Sequence, residues 1–135
     1  LSSAASDVYK RQYMANVNQI MDEIDAQMTE FSTIVKEGEV VSLSTQLAAI
    51  NNSVDKLKAL SVPDEMKDIQ SDYLKGTEEL QTAFAAYVDL YEDVKAPENG
   101  TFDFATYGDR LNDVKSHYEA GIQALESADQ KAADA

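Results

Sequence analysis

Apolar residues recur at steps of three and four along four stretches of this chain, which is the spacing of helices that bury one face. In the first stretch, about 13–37, Val17, Ile20, Met21, Ile24, Met28, Phe31, Ile34 and Val35 fall on one stripe. Gly38 follows the last apolar pair, where a helix C-terminus favours glycine. The second stretch, about 42–60, carries Leu43, Leu47, Ile50, Val54 and Leu57, the seam of a packed bundle helix. Val62-Pro63 ends it, because the residue before proline avoids the helical region.

The third stretch, about 64–95, opens with Pro63, Asp64 and Glu65, which suit the positive end of a helix dipole. Its stripe is Met66, Ile69, Tyr73, Leu80, Phe84, Tyr87, Tyr91 and Val94. Gly76 lies on the same stripe; it costs about 1 kcal/mol of helix propensity but lets a neighbouring helix come close. Residues 97–101 form the clearest loop, and Asp103 then reads as an N-cap. The fourth helix, about 103–129, carries Phe104, Tyr107, Leu111, Val114, Tyr118, Ile122 and Leu125. Residues 131–135 are expected to fray.

No segment alternates as a strand does, so the pattern predicts an all-α chain. Connections of about two to eight residues make neighbouring helices run in opposite directions. The expected architecture is an up-down-up-down antiparallel four-helix bundle over residues 13–130.

At 135 residues the chain suits one domain with a hydrophobic core. Its net charge of −14 argues against nucleic acid and against anionic membrane surfaces, both of which need basic patches. It favours cationic partners or ions. No apolar run approaches the ~20 residues that span a bilayer, so membrane insertion of this segment is not expected. The chain has no cysteine, which removes disulfides, thiolate nucleophiles and zinc–thiolate sites. It begins with Leu1, and residues 2–12 resemble translated sequencing-adapter read-through. Residues 1–12 are therefore read as a non-native or disordered leader, with native sequence from about Tyr13 onward.

Familiar chemistries find no footing. Di-iron bundles need inward Glu-x-x-His pairs on two helices, and this chain has one histidine, His117, with valine three residues earlier. There is no phosphate-binding or dinucleotide glycine motif and no nucleophile elbow. Lys95 and Pro97 occupy positions where a calcium loop needs oxygen ligands. Asn51-Asn52-Ser53 and Asn99-Gly100-Thr101 match the glycosylation pattern only weakly. Acidic runs such as Asp22-Glu23-Asp25 and Glu78-Glu79 read as solvated faces. No enzyme activity, metal or cofactor is expected.

Two groups of residues remain. His117 reads as a boundary histidine. In the expected topology it faces the first half of helix one, where Met14 and Met21 lie, and a Met–His pair across the first and last helices resembles the b-type cytochrome bundle. That resemblance implies haem ligation by these residues. The second group is aromatic. Phe84, Tyr87 and Tyr91 end helix three, while Phe102, Phe104 and Tyr107 begin helix four. An antiparallel hairpin gathers them at one end of the bundle, with Phe31 and Ile34. There they either plug the core or line an apolar pocket with tyrosine hydroxyls at its rim.

The opening Tyr13-Met14-Ala15-Asn16-Val17-Asn18-Gln19-Ile20-Met21, the hinge Leu57-Lys58-Ala59-Leu60-Ser61-Val62-Pro63-Asp64-Glu65, and the run Tyr73-Leu74-Lys75-Gly76-Thr77-Glu78-Glu79-Leu80 carry a further resemblance. From about Tyr13 to Asp129 the chain resembles helical-bundle domains of bacterial cell-envelope lipoproteins of unknown function. The resemblance implies an extracytoplasmic, non-enzymatic binding module, monomeric, facing an unidentified protein or small molecule. A ligand-sensing bundle of a membrane receptor is the second expectation.

Overall fold

The computed structural model describes residues 3–37, 41–97 and 100–135. Among them the chain is all-helical, with four α-helices and no strand: α1 (Ser3–Glu37), α2 (Ser44–Lys58), α3 (Lys67–Lys95) and α4 (Tyr107–Asp134). Single 3₁₀ turns, Asp64–Met66 and Phe104–Thr106, lead into α3 and α4. Gly38, read as a C-cap, and Asn99 lie outside the described residues.

Several boundaries differ from the sequence reading. Residues 3–12 are not irregular: α1 runs through them, with Ser6 and Lys10 reaching Glu65 at the α2–α3 hinge. These contacts are exposed, and a helix already packed from Tyr13 onward propagates backward at little cost. At the other end α4 continues to Asp134 instead of fraying, because Ala128 is buried and Ala132 packs against the core. Asp103 does cap: its side chain accepts from the backbone N–H of Ala105 at 3.0 Å.

The core is one cluster drawn from all four helices. It contains the expected stripes, Val17, Ile20 and Ile24 from α1, Ile50, Val54 and Leu57 from α2, Leu80 and Phe84 from α3, and Val114 and Leu125 from α4. Tyr13, Ser53, Gln70 and Thr77 are buried as well. Each polar group finds a partner: Tyr13 donates to Gln70 Oε1, Gln70 Nε2 donates to the Leu57 carbonyl at 2.8 Å, and Thr77 bonds back to the Tyr73 carbonyl.

The contacts between α3 and α4 are ordered. Residue numbers fall along one helix as they rise along the other, through Asp72–Lys131, Tyr73–Asp129, Glu79–His117 and Asp93–Arg110. The α2–α3 contacts Leu57–Gln70 and Asn51–Gln81 run the same way. The two backbones come close at Gly76 and Gly121, where a Cβ on either would come within 3.1 Å of the other's carbonyl oxygen.

Helix lengths decide what α1 and α2 can cover. The 15 residues of α2 are about half the 29 of α3. Measured from the Asn51–Gln81 contact, α2 continues seven residues to Ser44, about 10 Å. From the same contact α3 continues fourteen residues to Lys95, about 21 Å. On the other side Ser32 shares a hydrogen bond with Tyr118. Beyond it α1 has five residues, about 8 Å, whereas α4 reaches back eleven residues to Tyr107, about 16 Å. The α3–α4 hairpin therefore extends past the ends of α1 and α2 by roughly two helical turns.

Candidate functional site

The projecting hairpin end holds most of the aromatic residues singled out by sequence, but not as one cluster. Phe84 and Tyr87 are in the core. They pack on Phe31, whose ring stacks on Phe84 at 4.6 Å between centroids and meets Tyr87 edge-on at 5.8 Å. Tyr118 completes this group, stacked on Phe31 at 4.9 Å. Sequence reading placed Tyr118 on the α4 stripe but not in the aromatic group.

Tyr91 is half-buried, with the Lys95 ammonium 5.7 Å from its ring centroid. Tyr87, Tyr91 and Tyr107 lie near enough to interact. Burial first, then Tyr107 and Tyr91, hold the Tyr87 hydroxyl above its ordinary pKa.

Phe104 stands clear of the core, and Tyr107 lies at its edge beside Tyr87. Phe104 is 67% exposed and Tyr107 37% exposed, although both lie on the α4 stripe. The reason is the length mismatch: α1 stops before their level. The first buried residue of α4 is Val114. Phe104 is held against Phe102 edge-to-face at 5.0 Å. Its backbone is fixed by the Asp103 cap and by the Thr106 hydroxyl, which donates to the Asp103 carbonyl at 2.8 Å. Residues 38–40 and 98–99, which border this end in sequence, lie outside the described residues.

The structure does not bring Met14, Met21 and His117 together. Tyr118 is level with Ser32, eleven residues or about 16 Å along α1 from Met21 and eighteen residues or about 27 Å from Met14. His117 turns instead to α3, with Nδ1 2.7 Å from Glu79 Oε2. Both methionines pack against the core.

The acidic runs are more engaged than solvated faces. Glu23 accepts from Ser53 and pairs with Lys56 at 3.0 Å; the Lys56 and Ser53 hydrogen bonds hold its carboxyl below the ordinary range. Burial, with Asp22 and Asp129 nearby, raises the pKa of Asp25. Asp25 borders an open groove of about 590 Å³ between α1 and α4, with Thr29, Ser32, Thr33, Lys36 and Tyr118. The Thr29 and Thr33 hydroxyls bond to their own helix, and Ser32 is taken by Tyr118, so the groove presents few free polar groups. A second groove of about 640 Å³ lies at the α2–α3 hinge. Ser6, Tyr9, Gln12, Tyr13 and Asn16 of α1 line it on one side and residues 59–65 on the other.

Asn51 and Ser53 of the first glycosylation pattern lie on α2. Asn51 accepts from Gln81 and Ser53 is buried, which suits neither to modification. Among the described residues no helix is long and apolar enough to cross a membrane. No family model, no curated protein and no solved structure matches this chain.

Proposed function

We propose that this chain is a non-enzymatic interaction module of the bacterial cell envelope, a monomeric up-down-up-down antiparallel four-helix bundle that binds outside the cytoplasmic membrane. The opposed order of the α3–α4 and α2–α3 contacts supports the bundle topology. The resemblance of residues 13–129 to envelope lipoproteins supports the location.

The observation that carries the binding role is the projecting start of α4. Phe104 and Tyr107 lie on the apolar stripe of their helix, yet they face solvent on a turn fixed by its own hydrogen bonds. Large aromatics held rigidly in solvent are the common anchors of protein interfaces, because little side-chain entropy is lost on docking. The titratable groups support a non-catalytic reading: His117 is engaged by Glu79, and Tyr13 and Tyr73 are buried in the core.

The test is the coding sequence upstream of Tyr13. A secretion signal ending in a lipidated cysteine and a short linker is the expected result. A membrane-spanning helix on each side of the bundle would replace this reading with the receptor-sensor alternative. A start codon with no export signal would overturn the location.

A further inference from the structure

We propose that the seam between α1 and α4 is oxidation-sensitive: peroxide converts the half-buried Met14, Met21 and Met28 to sulfoxides and thereby loosens α1 from α4.

Three of the four methionines stand at seven-residue steps on α1. Residues seven apart on a helix lie almost above one another, so the three thioethers form one file. Ser32 stands four residues beyond Met28 on the same edge, and its hydroxyl meets that of Tyr118 on α4. The file therefore faces α4. Asp129 lies near Asp25, so residue numbers fall along α1 as they rise along α4. Helical rise then sets Met28 level with Ile122 and Met21 level with Asp129.

This seam is loosely closed. The α3 and α4 backbones pack closely through Gly76 and Gly121, whereas those of α1 and α4 do not. An open groove of about 590 Å³, with Met28 and Tyr118 in its walls, runs between them. Methionine is long and flexible enough to fill such a gap. All three pack against the core yet remain partly open to solvent, while Met66 is only 1% exposed.

The chain has no cysteine, so its four thioethers are its only sulfur groups. A sulfur lone pair attacks one oxygen of hydrogen peroxide. The S–O bond forms as the O–O bond breaks, the sulfur loses two electrons, and the peroxide is reduced to water. The product carries a strong acceptor oxygen where an apolar thioether stood. Little on the seam can donate to it. Asp25 and Asp129 are acceptors themselves, Tyr73 already donates to Asp129 at 2.6 Å, and the Ser32 and Tyr118 hydroxyls are bonded to each other. Lys36, at the far end of the groove, stands eight residues, about 12 Å, beyond Met28. A sulfoxide kept in the seam loses water without gaining a donor, so the seam opens to hydrate it. Thiol-dependent reduction restores the thioether and with it the seam.

The full chain is treated with hydrogen peroxide in steps, and oxidation at each methionine is read by mass spectrometry of its peptides. Met14, Met21 and Met28 should oxidise at least about ten-fold faster than Met66 in the folded protein, because reactivity follows exposure. The oxidised protein should melt about 5 °C or more below the untreated one. Amide hydrogen exchange should quicken within residues 14–32 and 118–132 and not along the α2–α3 contact. Methionine sulfoxide reductase with dithiothreitol should reverse both effects. The combined variant Met14→Leu, Met21→Leu and Met28→Leu keeps similar side-chain volumes and should fold, but should lose the response to peroxide.

Oxidation of Met66 at the same rate as the other three would overturn the proposal. So would full oxidation of the file with unchanged exchange across the seam, or an undiminished fall in melting temperature in the leucine variant. If that variant does not fold, exchange in the oxidised and re-reduced native chain decides the question by itself.

Discussion

A Cβ placed on Gly76 would lie 3.1 Å from the carbonyl oxygen of Gly121, and one placed on Gly121 would lie 3.0 Å from that of Gly76. The two glycines let the backbones of α3 and α4 meet. Leu125 fills the space over Gly76, and Leu80 that over Gly121, each within 3.0 Å of the added carbon.

Gly76→Ala and Gly121→Ala should therefore each destabilise the protein by about 1–2 kcal/mol. The alanine gains about 1 kcal/mol of helix propensity, but the forced shift of a buried leucine and an opposing backbone costs more. Gly108→Ala, on the same helix with nothing within 4 Å of the added carbon, should instead stabilise by about 0.5 kcal/mol. Chemical denaturation of the three variants checks the ranking. Stabilisation at position 121 would mean the helices are farther apart than described.

Ile50 is fully buried in the middle of α2, and truncation leaves a cavity that the helix cannot close. Ile50→Ala should cost about 2–5 kcal/mol. His117→Ala removes a half-exposed contact to Glu79 and should cost under about 1 kcal/mol. Equilibrium unfolding of the two variants side by side measures the difference, and a reversed order would refute the assigned face of α2.

Tyr13 ties α1 to Gln70 of α3, and burial pushes its hydroxyl pKa up to about 12. The folded protein holds this proton more tightly than the unfolded chain. The stability it contributes is complete below pH ~10 and is lost as pH rises toward ~12. Burial raises Tyr73 and Tyr87 in the same direction, Tyr73 also through its hydrogen bond to Asp129. Tyr13→Phe should lower stability at neutral pH by about 1–2 kcal/mol, because the Gln70 oxygen loses its donor. It should also make the alkaline loss of stability less steep. Denaturation midpoints measured across that pH range test both effects, and an unchanged alkaline profile would count against the Tyr13 assignment.

Deleting residues 1–12 should leave the melting midpoint within about 5 °C of the full chain. The segment meets the hinge through exposed contacts, Ser6 and Lys10 with Glu65, and surface pairs of this kind contribute little. A larger drop, seen by calorimetry, would show that the segment keeps Tyr13 seated by holding the preceding turn in helical form.

The sequence by itself determined the four helices, because a three-to-four spacing of apolar residues buries as a stripe whatever lies opposite. Ile24, Ile50, Leu80 and Val114 are all in the core for that reason. It also marked Gly76 as a point of close approach and Asp103 as a cap, since both follow from local backbone geometry. Which stripe residues stay uncovered was beyond it. Phe104 and Tyr107 carry the same periodic signal as Val114, and only the relative lengths of α1 and α4 leave them in solvent. The matching residue on the other side, Gly121, became identifiable once α4 was laid against Gly76. His117 turns toward Glu79 and away from the methionines because the helix register, set by packing the cores of all four helices together, puts Tyr118 beside Ser32. Local pattern decides what is helical and which face is apolar; register and length mismatch are properties of the assembled helices, and they decide which apolar residues remain in solvent.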